Sequence, residues 1–172
     1  GFRVGLFRVL LLVSLFGCSP QEGNQIFSHS FPSVEVGPYS EIYNVCQSWT
    51  LNNDKPVYVN TVSMEAGPGW HHSNWFFVPD HLFDGPDGTW DCADRYFDEL
   101  VGAVNGGVLF AQSTQSSHDL QQFVPGAAME LPAGTRIVGS IHILNAFEET
   151  LVTSADLELT ALPKSQLEVP LF

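Results

Sequence analysis

Residues 57–64 read Val-Tyr-Val-Asn-Thr-Val-Ser-Met, and residues 70–78, after the break Ala66-Gly67-Pro68-Gly69, read Trp-His-His-Ser-Asn-Trp-Phe-Phe-Val. Both runs are short, rich in β-branched or aromatic residues, and bounded by turn-forming residues, which is the pattern of strands rather than helices. The same texture continues in both directions. Residues 42–51 form a run before Asn52-Asn53-Asp54-Lys55-Pro56, and residues 107–112, 127–131, 136–144 and 151–162 follow downstream, with Pro132-Ala133-Gly134 as a tight turn between two of them. Residues 92–104 supply one or two helical turns at most. About seven strand-like runs with almost no helix predict an all-β fold, an antiparallel β-sandwich.

Composition narrows the partners. The chain has 172 residues, with 19 Asp plus Glu against 6 Lys plus Arg, so its formal net charge is -13. A surface that acidic repels phosphate backbones and anionic lipid heads, which argues against nucleic-acid binding and against a basic membrane-docking face. With 13 Phe, 4 Trp and 4 Tyr, the chain also has ample material for a core, unlike chains that stay disordered.

The N-terminus reads as an export segment. Arg3 and Arg8 precede an apolar run over residues 9–16 that is too short to span a bilayer. It ends in Leu15-Phe16-Gly17-Cys18, which resembles the lipobox of bacterial lipoproteins; Phe16 is bulkier than usual there, and a plain secretory signal cleaved nearby is the other reading. The expected organisation is a signal over residues 1–17, a Ser/Pro/Gly/Gln-rich tether over 18–40 running from a lipid anchor on Cys18, a sandwich domain over 41–163, and a tail or linker over 164–172. Localisation follows as exported, in the periplasm or on the cell surface. With Cys18 lipidated, Cys46 and Cys92 remain as one pair in an oxidising compartment, where a disulfide is the expected state and two buried thiols the alternative.

The chemistry sits in the histidines. His71 and His72 are adjacent, and neutral imidazole suits copper, zinc or iron. Neighbours in a regular strand point to opposite faces, so both rings can serve one metal only where the pleat is broken, and Gly67-Pro68-Gly69 supplies such a break just upstream. The best third ligand is His142, set in a strand between Ile141 and Ile143; taken alone it reads equally as a core histidine satisfied by one hydrogen bond. His29 lies in the tether with no specific role. His81 and His118 fall in polar loops, and Asp80, Asp84, Asp87, Asp91, Asp94, Asp98 and Glu99 form an acidic stretch whose spacing does not match a calcium loop. No phosphate loop, zinc-protease helix or nucleophile elbow is present in the sequence.

Taken in order, Cys46-Gln47-Ser48, Val57-Tyr58-Val59, Pro68-Gly69-Trp70-His71-His72, Trp90-Asp91-Cys92, residues 107–112 and Ile141-His142 resemble the first domain of the copper type II, ascorbate-dependent monooxygenases, the relatives of peptidylglycine alpha-hydroxylating monooxygenase and dopamine beta-monooxygenase. The resemblance covers roughly residues 41–162. It implies a sandwich of jelly-roll type, one copper held by His71, His72 and His142 that passes an electron onward, a Cys46–Cys92 disulfide, and ascorbate as reductant. It also implies a second copper domain, which in the family is bound by a His-x-His pair and a methionine and hydroxylates an aliphatic carbon of a peptidyl or small organic substrate.

The sequence departs from that pattern in holding no His-x-His, and its two methionines, Met64 and Met129, lie in first-domain strands where core packing is expected. Three classes of function therefore stand side by side: the electron-transferring domain of an exported monooxygenase, a standalone one-copper carrier or relay lipoprotein, and a structural sandwich in which the histidines are incidental.

Overall fold

The computed structural model describes residues 22–112 and 115–171. The signal over residues 1–17, Cys18 and the start of the tether lie outside the described residues. Among the described residues, no helix is long and apolar enough to cross a membrane.

Thirteen strands form the described fold. They are β1 (Gln25–Ser30), β2 (Val34–Val36), β3 (Ser40–Thr50), β4 (Val57–Ala66), β5 (Trp70–Pro79), β6 (Gly88–Asp91), β7 (Gly107–Gln112), β8 (His118–Gln122), β9 (Ala127–Leu131), β10 (Thr135–Asn145), β11 (Leu151–Thr153), β12 (Ala155–Leu162) and β13 (Val169–Leu171). One sheet runs β1-β12-β4-β9-β13 with β8 also on β4; the second runs β6-β3-β10-β5-β7; β2 and β11 form a short ribbon. All pairings are antiparallel except β13 with β9. The antiparallel sandwich read from the sequence is the fold.

Alternation along the strands builds one core between the sheets. Val57, Val59, Val62 and Met64 of β4 and Leu157 and Leu159 of β12 meet Trp75 and Phe77 of β5 and Ile137, Ile141 and Ile143 of β10. Gly139 lies opposite Trp75 in the register, and any Cβ there would clash with the indole, so the missing side chain is what admits that ring to the core.

The outer face of the second sheet carries a smaller core. Phe76, Val78 and Val138, with Cys46 and Trp90 of the same sheet, are covered there by Phe83 and Cys92, with Phe97 and Ala103 packed alongside. The covering segment includes a 3-10 turn, Cys92–Arg95, and a helix α1, Glu99–Asn105, which together are the helical turns expected over residues 92–104. Asp98 caps α1 by accepting from Val101 N at 2.9 Å. Cys46 and Cys92 are disulfide bonded, with Cα atoms 5.1 Å apart, as the pairing argument expected. Arg136, almost fully buried, clasps the acidic loop by donating to the carbonyls of Phe83 and Gly85, both at 2.9 Å. The acidic stretch is thus pinned to the sheet through its backbone.

Two terminal segments differ from the sequence reading. Residues 25–36, read as tether from their composition, are β1 and β2, because Phe27, His29 and Phe31 alternate with serines and present one face to the core. The C-terminal tail contributes β13, which lies along β9.

His29 is accordingly part of the packing. Its ring stacks on Trp49 at 5.1 Å between centroids, meets Phe31 edge-on at 4.6 Å, and buries an Nε2 that has no hydrogen-bond partner. Burial lowers its pKa below 6.5, against the opposing pull of Asp87 and Asp156. The unfolded chain therefore binds this proton at a higher pH than the folded chain, so the histidine removes stability as pH falls below 6.5 and removes none well above it. Urea midpoints of native protein and His29→Phe at about pH 7.5 and about pH 5.5 should show a smaller acid loss in the variant. Equal losses would mean that His29 does not resist protonation in the fold.

Candidate metal centre

The turn before β5 decides where the histidines point. Gly69 has φ +78, a conformation that favours glycine, and a Cβ there would strike Leu151 and the carbonyl of Leu144. Its own carbonyl accepts from Leu144 N at 2.8 Å, which ties the turn to β10. Immediately afterwards the register slips. His72 pairs with His142 and Trp70 with Ile143, leaving His71 as the extra residue of a β-bulge.

The slip puts both rings on one face. Trp70 and Ser73 are buried on the core side, while His71 is half-buried and His72 exposed on the outer side. His142 joins them from β10, where Ile141 and Ile143 face the core and the imidazole faces outward. The sequence placed His142 among apolar neighbours; strand alternation gives those neighbours to the opposite face.

The three rings converge. One ligand atom from each of His71, His72 and His142 lies within 4.8 Å of the others. Ring centroids are 5.4 Å apart for His71 and His72, and 4.9 Å for each of them with His142. His142 Nδ1 and His72 Nε2 stand 3.1 Å apart, close to the separation of about 3.3 Å expected for two nitrogens bound tetrahedrally to one ion at about 2.05 Å. Among the described residues His71 Nδ1 is buried with no hydrogen-bond partner. A buried ring nitrogen left unpaired on one of three clustered imidazoles is consistent with a site that takes a metal ion.

Carboxylates frame the cluster. Glu41 of β3 lies 2.9 Å from His142 Nε2, and Tyr43 meets that ring edge-on at 6.4 Å. On the other side, Glu99 at the start of α1 accepts from Ser140 Oγ at 2.6 Å and Asn74 Nδ2 at 3.1 Å. The pKa of His72 is lowered by partial desolvation first and then by repulsion from His142 and His71, with Glu99 opposing. The two neighbouring imidazoles thus disfavour protonation of His72, which keeps its lone pair available for a metal.

The remaining candidates stay apart from this centre. His81 is exposed beside Asp80. His118 lies on the edge strand β8 and bonds Glu65 through Nδ1 at 2.6 Å. Glu41 and Glu99 are the site residues that sequence reasoning missed: Glu41 is 101 positions from His142, and a second bulge, in β3 opposite His142, sets their approach. No spacing rule reaches across that distance.

No protein-family model and no curated protein matches the chain. Among solved structures, it is similar to one titled "Structure of infectious bursal disease virus Gx strain", with 8% identity and a TM-score of 0.29. The likeness covers 90% of this chain, which spans 36% of that one. At that score the likeness carries no argument about function.

Proposed function

We propose that the chain is the electron-transferring copper domain of an exported, ascorbate-dependent copper monooxygenase that hydroxylates an aliphatic carbon with dioxygen, with His71, His72 and His142 as the copper ligands. The observation that carries this reading is the bulge that turns His71 and His72 to the same face opposite His142. An all-imidazole donor set without thiolate or carboxylate suits copper cycling between its two oxidation states. The Cys46–Cys92 bridge and the antiparallel sandwich agree with the resemblance on which the reading rests. Jelly-roll winding, lipid anchorage at Cys18, the peptidyl or small organic substrate and the second copper domain belong to the same proposal.

Copper, when bound, supplies a one-electron couple. The chain contributes three ring nitrogens, a carboxylate behind His142, and a face left partly open beside the exposed His72.

A standalone copper carrier or relay is the second reading, resting on the same three-histidine cluster. Met64 is buried in the core, 3.7 Å from Ser73 Oγ, and Met129 packs against the same core, so neither is free to serve a second copper. Both readings require that the chain hold copper, and the monooxygenase reading adds that ascorbate reduce it. Copper-loaded protein should show a cupric paramagnetic resonance signal with nitrogen couplings that ascorbate abolishes. No copper retained after desalting would sink both readings. Oxygen consumption by the full-length protein with ascorbate and a peptidyl or small organic substrate separates them, since the relay alone turns over nothing.

A further inference from the structure

We infer that Glu41 is the positioning residue of the three-histidine site: its carboxylate holds the Nε2–H of His142 and so fixes Nδ1 as the nitrogen offered to His72 and His71. The inference rests on the metal reading above and assigns a role to a carboxylate that the reading does not need.

A neutral imidazole carries one N–H and one lone pair. An ionised carboxylate only accepts, so the 2.9 Å contact between Glu41 Oε2 and His142 Nε2 requires the hydrogen to be on Nε2. The lone pair is then on Nδ1, which stands 3.1 Å from His72 Nε2 and faces the other two rings. Without the carboxylate, the hydrogen is free to move to Nδ1, and the ring is free to turn about its Cβ–Cγ bond. Either change removes the ligand.

The backbone delivers Glu41 to that place. In β3, Ile42 pairs with Ile143 and Val45 with Ile141, so two residues, Tyr43 and Asn44, stand opposite the single His142. Asn44 takes φ +69, the local signature of the bulge. Bulges therefore flank His142 on both neighbouring strands: the one in β5 gathers the other two histidines, and the one in β3 brings in Glu41 and Tyr43. Nearby carboxylates are otherwise engaged. Glu99 is held by Ser140 and Asn74 on the His72 side, and Asp91 by Asn44 and Ala93 N. A carboxylate on the far ring nitrogen orients a metal-bound histidine and raises its basicity, and removing such a partner lowers metal affinity about 10- to 100-fold.

Glu41 is half-exposed, so its replacement leaves the core intact. Ring-nitrogen correlation NMR on metal-free native protein, Glu41→Ala and Glu41→Gln reads the tautomer directly. Native protein and Glu41→Gln, whose amide oxygen still accepts, should show His142 protonated at Nε2; Glu41→Ala should populate the Nδ1–H form. Copper competition against a chelator should then show a fall of about 10- to 100-fold in Glu41→Ala and a smaller one in Glu41→Gln. Unchanged tautomer and affinity in Glu41→Ala would overturn the inference, as would a Glu41→Gln protein no better than Glu41→Ala. Native protein that binds no copper would defeat the metal reading instead, while the NMR comparison would still decide whether Glu41 sets the tautomer.

Discussion

His142→Ala should abolish copper retention while leaving the fold in place. The side chain projects from the outer face of β10 and takes no part in the core, so its removal leaves no cavity between the sheets. What it removes is the nitrogen 3.1 Å from His72 Nε2, on the strand that lies between the Glu41 and His71-His72 sides of the site. Losing an orienting partner alone lowers affinity about 10- to 100-fold, so losing a ligand outright should exceed about 100-fold. Copper content after equilibration with a competing chelator should fall from one ion per chain to near none, and X-ray absorption of the reduced native protein should count about three imidazole nitrogens. The urea midpoint should stay close to native. A variant that keeps its copper would remove His142 from the site, and one that loses stability instead would return it to the role of structural histidine.

How legible this centre was in the sequence depends on distance along the chain. The His71-His72 pair and its Gly-Pro-Gly break are local, and the need for a broken pleat follows from the two-residue period of a strand; the bulge sits where that argument required it. His142 was legible as a strand histidine but not in its direction, because alternation fixes only which residues share a face and not which face is the core. Glu41 was illegible, since its approach depends on pairing of strands about a hundred residues apart and on a slip within that pairing.

The same division holds for the fold. Strands with strong apolar content were readable one by one, yet β4 and β5, adjacent in sequence, belong to different sheets, and nothing in the intervening turn says so. β1 was hidden by its serines, although Phe27, His29 and Phe31 carry the period of two. β6, β8 and β13 are short strands with few inward apolar residues, and pairing rather than composition makes them strands.

Removal of the disulfide should produce the largest loss of stability. Cys46 and Cys92 close a loop with a separation of 46 residues, for which loop-closure entropy predicts about 4 kcal/mol, with native-state strain reducing it. That loop contains β4, β5 and β6, so the bridge restricts, in the unfolded chain, segments that must be sorted into both sheets. In the folded chain both sulfurs are buried beside Phe76, Trp90 and Val138, and the bridge anchors the covering segment that carries Glu99 at the start of α1. A Cys46→Ala, Cys92→Ala protein should therefore lower the urea midpoint by more than about 1 M, given slopes of about 1–3 kcal/mol/M for small domains. Copper affinity measured where the variant is still folded should fall far less than in His142→Ala, because His71, His72 and His142 stand on β5 and β10, whose mutual register does not pass through the bridge. An unchanged midpoint would show that the cysteines are not bridged in solution. A collapse of copper binding in folded variant would show instead that the covering segment holds the histidine face in shape, and Glu99, fixed to Ser140 and Asn74, would be the contact through which it does so.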